Sequence, residues 1–260
     1  IMSQYFLDHI KSDIEKRIEL IPDQPIESKN TLDFSDIFRT SKTPIIISEI
    51  KFASPSHGQL YYGALDHTDI ASAYLNAGCA ALSVLTEPMY FKGDLHFIKD
   101  IRATHPSAPI LLKDFLLSKK QIAQGFLYGA NAILLIAAFL KKSLLKELYD
   151  YSLFLGLTPI IEVHNRQELD HVLKLAPTVI GINNRDLQSL DINLDLSRDL
   201  IKYIPNDCYA LSESGIENAS QIRELIEIGF DGFLIGSLLM KCENPGIKLQ
   251  QLIGEVLNES

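Results

Sequence analysis

The chain has 260 residues, 47% of them apolar and 22% charged, enough for one large globular domain or two small ones. Its 24 basic and 33 acidic side chains leave a formal charge of −9, which excludes nucleic acid as an expected partner because phosphate backbones are held by basic patches. Any anionic ligand must therefore be attracted by local positive groups rather than by the field of the whole molecule.

In chain order, Tyr5–Leu20 reads as an amphipathic helix with Ile10, Ile14 and Ile18 on one face. Pro22 and Pro25 end it, and Phe34–Phe38 suggests a second short helix. Residues 1–44 are expected to form a helical extension that caps an end of the following fold, rather than a separate module. From residue 45 short apolar runs alternate with longer segments. The runs are Ile45–Ile50, Ala80–Thr86, Ile110–Lys113, Ala132–Ile136, Pro159–Glu162, Val179–Ile182, Cys208–Ser212 and Gly232–Gly236. Between them, Ser118–Gly129, Lys141–Leu155, Arg166–Leu175 and Ala219–Gly229 carry helical spacing. Pairs such as Ala77-Gly78, Gly129-Ala130 and Gly229-Phe230 sit where a helix should end.

Eight near-continuously apolar strands, each followed by a helix, imply a parallel sheet covered on its outer face. A closed (β/α)8 barrel and an open doubly wound sheet both fit that alternation. The barrel is preferred because eight units use up residues 45–260 as one domain with the extension. No Gly-rich dinucleotide turn follows the first strand. Cys79, Cys208 and Cys242 lie far apart without C-x-x-C spacing, so reduced thiols and a cytoplasmic protein are expected. No apolar run reaches the roughly 18 residues of a membrane span, and the start lacks the pattern of a signal peptide.

Polar residues fall at the strand ends. Glu49 and Lys51 close the first strand, Lys113 the third and Glu162 the fifth; Asn183 follows the sixth, Glu213 and Ser214 the seventh, and Ser237 the eighth. In a barrel the C-terminal rim carries the chemistry, because the loops after all eight strands converge there. Glu49 and Lys51 are two apart, so they share a face, and a carboxylate beside a partly desolvated ammonium suits acid/base work. So many charges on one rim have no use in a packed core, since their burial is costly unless paired. Ser214-Gly215-Ile216 and Gly236-Ser237, the latter opening a helical stretch Leu238–Lys241, offer backbone amides to an anion, and Ser54 and Lys51 could join them. His57 reads as a surface-loop residue without a role, and His164 as part of the loop after the fifth strand rather than a base. The histidines show no H-x-x-x-H spacing, so no metal site is expected.

Taken together these blocks resemble the indole-3-glycerol-phosphate synthase family. Glu49-Ile-Lys51-Phe-Ala-Ser54-Pro55-Ser56 is similar to its E-x-K-x-x-S-P-S signature. Ser83–Gly93, Leu112–Phe115, Ala130–Ile136, Glu162–His164, Gly181–Leu187, Ser212–Ile216 and Leu234–Ser237 follow in register. The resemblance implies a TIM-type barrel that closes an indole ring on 1-(2-carboxyphenylamino)-1-deoxyribulose 5-phosphate, releasing carbon dioxide and water, without metal or organic cofactor. It implies Lys113 as general acid, Glu162 as base and Lys51 as the group assisting loss of hydroxide, with the split between the lysines left open. Glu49 would tune Lys51, and Asn183 and Glu213 would orient substrate. Phe91, Leu187, Pro55, Leu234, Ser214 and Arg185 would line the substrate site, and Ser54, Gly215, Gly236 and Ser237 the phosphate site. A monomer is expected, with a dimer as the alternative. The competing readings are another phosphate-binding barrel of tryptophan biosynthesis and a catalytically silent sugar-phosphate sensor. Neither should keep Lys51, Lys113 and Glu162 together.

Overall fold

The structure, a computed structural model, describes residues 4–23, 26, 32–41 and 44–258. Its centre is a closed barrel of eight parallel strands: β1 (Ile45–Ile50), β2 (Ala81–Leu85), β3 (Ile110–Lys113), β4 (Ala132–Ile136), β5 (Thr158–Val163), β6 (Val179–Asn183), β7 (Tyr209–Glu213) and β8 (Gly232–Ile235). Closure is direct, because β1 pairs with β2 (Ile47 opposite Ala81) and with β8 (Ile45 opposite Gly232). The open-sheet alternative is thereby excluded. Asn183 and Glu213, expected just beyond their strands, lie within them and sit opposite each other in the ladder. The backbone pairing continues past the apolar run because ladder hydrogen bonds do not require apolar side chains, and the inward face at this end borders a cavity.

Side-chain alternation sorts the strands into two layers. Ile46, Leu82, Leu112, Ile133, Ile161, Ile180 and Phe233 point outward and are buried under the helices. Ile47, Ala81, Leu111, Leu134, Ile160, Val179, Leu211 and Leu234 point inward and fill the barrel. The helices begin and end on local signals. Ser118 caps Lys119–Tyr128 by accepting from the Lys120 amide, and Gly129 closes that helix in the left-handed conformation at φ 103°. Asn165 and Asn218 cap Arg166–Val172 and Ala219–Glu227 in the same way.

The N-terminal segment occupies two places. Phe34 and Ile37, the latter in the short helix Asp36–Thr40, join the inner core where the strands start, and Phe38 stacks on Tyr209 with ring centroids 4.8 Å apart. The helix Gln4–Glu19 buries Ile10 and Ile14, leaves Ile18 half-buried, and carries Arg17 to the opposite end of the strands. Pro25 lies outside the described residues. No helix among the described residues is long and apolar enough to cross a membrane.

Candidate active site

The inward parity that fills the barrel with Ile47, Leu111, Ile160, Leu211 and Leu234 continues, two residues later on four of these strands, as Glu49, Lys113, Glu162 and Glu213; Asn183 ends the corresponding row on β6. Apolar packing below thus gives way to one polar layer at the C-terminal rim, the floor of a cavity of about 580 Å³. The neighbouring ladders fix its order: Leu85 opposite Lys113, Ile136 opposite Glu162, and Asn183 opposite Glu213.

Lys113 is the hub. Its Nζ donates to Glu213 Oε2 in a short ion pair and lies 3.5 Å from Glu162 Oε2. Burial lowers its pKa, but Glu213, Glu162 and Glu49 outweigh that and raise it, so the ammonium form persists. The two carboxylates differ sharply. Burial pushes Glu213 up to about 7, Lys113 offsetting only part of the effect. Burial also opposes the ionisation of Glu162, yet Lys113, His164 and an Asn183 hydrogen bond hold it down at about 2. Room for this arrangement depends on Gly181 of β6, where any Cβ would overlap Glu213 Oε1. That oxygen is buried over Gly181 without a hydrogen-bond partner.

The other half of the rim is built from loops. Lys51 Nζ lies 2.5 Å from Glu49 Oε1, as their shared face requires. Beyond it a two-residue hairpin, Ala53–Ser54 with Gly58–Gln59, presents Ser54, Pro55, Ser56 and His57 to the cavity. Ser214 and Gly215 follow β7 with φ of 64° and 85°, a paired left-handed turn that is strained at the serine. After β8, Gly236 leads into the helix Ser237–Met240, whose first amides have no partner within the helix. Ser214, Gly215, Gly236 and Ser237 all line the cavity, beside Ser54 and Lys51.

The apolar wall combines Phe91, Leu187, Pro55 and Leu234. Glu87, fully buried, accepts from the amides of Met89, Tyr90 and Phe91 and so sets the loop carrying Phe91. Arg17 of the N-terminal helix lies 3.9 Å from both Glu87 and Asp114. Arg185 donates to the Leu190 carbonyl at 2.8 Å, and its own amide donates to Asn183 Oδ1 at 3.0 Å, so the loop after β6 orients Asn183.

Every residue singled out from the sequence therefore reaches this one cavity. Several participants were not singled out. Phe115 lines the wall with its ring centroid 6.3 Å from that of Phe91; only its place beyond β3 hinted at this. Asn184 is buried behind the site and donates to the carbonyls of Glu213 and Ser214 and to Ser212 Oγ, pinning the end of β7. His57, read as bland, lines the cavity beside Lys51, Arg185 and Lys241, which with burial lower its pKa. His164, read as loop, places Nε2 3.2 Å from Glu162 Oε1. The signal available was its spacing of two from Glu162, the same one that placed Lys51 beside Glu49. Among the described residues no group of three His, Cys, Asp or Glu side chains is arranged to hold a metal ion.

Comparison with known proteins narrows the chemistry. Two solved barrels, one described as KGPDC from Streptococcus mutans and the other as 3-hexulose-6-phosphate synthase from Salmonella typhimurium, superpose with TM-scores of 0.61 and 0.62. They cover 83% and 82% of this chain and 98% and 99% of their own, but at 11% identity they share the fold alone. Indole-3-glycerol phosphate synthase of Sulfurimonas denitrificans is 40% identical over 84% of this chain and 83% of its own length. That of Aquifex aeolicus is 38% identical over 96% and 99%. The sequence model of indole-3-glycerol phosphate synthase matches residues 5–252, and the chain belongs to that family.

Proposed function

We propose that this rim divides the decarboxylating, dehydrating ring closure of 1-(2-carboxyphenylamino)-1-deoxyribulose 5-phosphate to indole-3-glycerol phosphate between an acid/base half on β1, β3 and β5 and a phosphate half after β7 and β8. Lys113 is the general acid. As the aromatic carbon bearing the carboxylate attacks the ketose carbonyl, the new carbon–carbon bond forms and the carbonyl oxygen takes the Lys113 proton. Carbon dioxide then leaves, and its bonding pair restores the aromatic ring. Glu162 removes the proton whose loss accompanies departure of hydroxide, which Lys51, tuned by Glu49, protonates to water. No electron acceptor outside the substrate is needed, so the chain's own groups suffice.

The observation that carries this reading is the placement of Lys113 and Glu162, 3.5 Å apart in the buried polar layer, where carboxylates around the lysine favour its ammonium and Lys113, His164 and Asn183 favour the ionised glutamate. Those are the states that a general acid and a general base require at neutral pH. Glu213 and Asn183 hold the pair and receive substrate hydroxyls. Ser54, Gly215, Gly236 and Ser237 take the phosphate, with Arg185 as a further cation at the mouth. Phe91, Leu187, Pro55, Leu234 and Ser214 enclose the anthranilate portion. The extension 1–44 belongs with the barrel 45–260 as one domain in this reading, because Phe34 is wholly buried in the barrel's own core. The protein is taken to work in the cytoplasm as a monomer, a dimer being the alternative.

Purified protein should form an indole-fluorescent product from the carboxyphenylamino-ribulose phosphate without added metal, and chelator should leave the rate unchanged. Lys113→Ala and Glu162→Gln should each lower kcat far more than they raise KM, since acid and base act chiefly in the transition state. Variants retaining wild-type kcat would remove these two residues from the mechanism.

A further inference from the structure

We propose that His164 is a positioning residue that decides which of the two carboxylates around Lys113 stays ionised, and so makes Glu162 rather than Glu213 the base. The inference rests on the proposed role of Glu162 and adds the device that secures it. Glu162 and Glu213 are both buried and both reach Lys113, which lies closer to Glu213. One ammonium between two buried carboxylates does not stabilise both charges fully, and such a pair tends to share a proton. Left to Lys113 alone, the proton would settle on Glu162, which is the more distant partner.

His164 reverses that preference. Its Nε2 stands 3.2 Å from Glu162 Oε1, the oxygen turned away from Lys113, whereas Lys113 faces Oε2. At this range the ring holds the carboxylate ionised both as a hydrogen-bonding partner and through the charge of the imidazolium. On the other side, His164 Nδ1 lies 3.6 Å from Glu168 Oε2. Glu168 is held independently of the ring. Its carboxylate accepts from the His164 amide at 2.7 Å and from Asn165 Nδ2 at 2.5 Å, and its own amide donates to Asn165 Oδ1. This reciprocal cap at the start of the helix Arg166–Val172 fixes an anion behind the ring. Asp186, from the loop after β6, adds a further negative charge that His164 stabilises in turn. Burial disfavours the imidazolium, but Glu162 and Glu168 outweigh it and raise its pKa to about 10. The groups facing Glu162 are thus Lys113 from β3, Asn183 from β6, His164 from the loop just after β5, and Glu213 from β7 across Lys113. His164 does not line the cavity. It acts through Glu162, not on substrate.

The test is the pH dependence of kcat for wild type, His164→Gln and Glu168→Gln, measured by indole fluorescence at saturating substrate, with the melting temperature of each. Removing an opposite charge at this range shifts a carboxylate by about one pH unit or more. His164→Gln should therefore move the acid limb of kcat upward by about that much, with kcat at pH well above the limb and KM each changed by less than about threefold. Glu168→Gln leaves the imidazolium charged at the pH of the limb and should leave the limb where it is in wild type. A folded His164→Gln whose acid limb stays at the wild-type position overturns the inference, even if kcat falls evenly at all pH values, because that is the mark of a merely structural role. If His164→Gln does not fold, His164→Asn is read in its place, and an unmoved limb there overturns the inference equally. A wild-type protein that makes no indole product would sink the reading of the site itself, and this inference with it.

Discussion

Gly181 tests the polar layer most directly. A methyl group there would overlap Glu213 Oε1 and approach Cδ at 3.2 Å. Neither backbone can retreat, because β6 is held by β5 and β7, and β7 by β6 and β8. The strain must be relieved by turning the Glu213 carboxylate off Lys113. Losing one partner of a buried pair costs roughly 3–5 kcal/mol when the remaining charge is uncompensated. Lys113 would keep Glu162 at 3.5 Å, so about half that cost, about 2 kcal/mol, is expected, or about thirtyfold in kcat. Overpacking should also remove roughly 1–3 kcal/mol of stability, or roughly 2–12 °C of melting temperature in a protein of this size. Steady-state kinetics on Gly181→Ala followed by indole fluorescence, with calorimetry alongside, would check both. A variant with kcat within about threefold of wild type would refute the claim that Glu213 fills the space above Gly181 and braces Lys113.

At the other end of the barrel, Phe34→Ala should cost roughly 3–5 kcal/mol, since the ring is wholly buried among the strand beginnings, while kcat should be little changed; calorimetry showing no loss would remove Phe34 from the core. Burial pushes Asp114 up to about 6 against the pull of Thr86, Arg17 and the Phe115 amide, so the folded state binds this proton more tightly than the unfolded chain, whose carboxyl titrates near 3.8. The stabilisation is complete below that value and is lost as pH rises through about 6. Wild type should therefore gain stability relative to Asp114→Asn on going from neutral pH to pH 5, and parallel melting curves against pH would contradict this. Burial likewise pushes Cys79 and Cys208 up to about 12, so a thiol reagent at pH 8 should label the half-exposed Cys242 first; rapid labelling of all three would show that the barrel breathes more than its packing implies.

What the sequence determined by itself is whatever depends on local periodicity. Alternation along a strand fixes which residues share a face, so the apolar runs and the polar residues at their ends could be placed strand by strand. Two residues of spacing sufficed to set Lys51 beside Glu49. Helix starts at Ser118 and Asn165 and the stop at Gly129 are equally local, being matters of one side-chain oxygen or one left-handed residue. Closure of the barrel is not local: it depends on β1 meeting β8 across nearly the whole chain, and an open sheet has the same alternation. The same holds for Arg17 reaching Glu87 and Asp114, for Phe34 entering the core from outside the strand pattern, and for Asn184 gathering the end of β7. Above all, the different surroundings of Glu162 and Glu213 depend on distances to Lys113 and His164, set by how strands three, five and seven converge on one layer. Spacing along a chain says which groups face inward; only the closed barrel decides how near they come, and charge interactions depend on that distance.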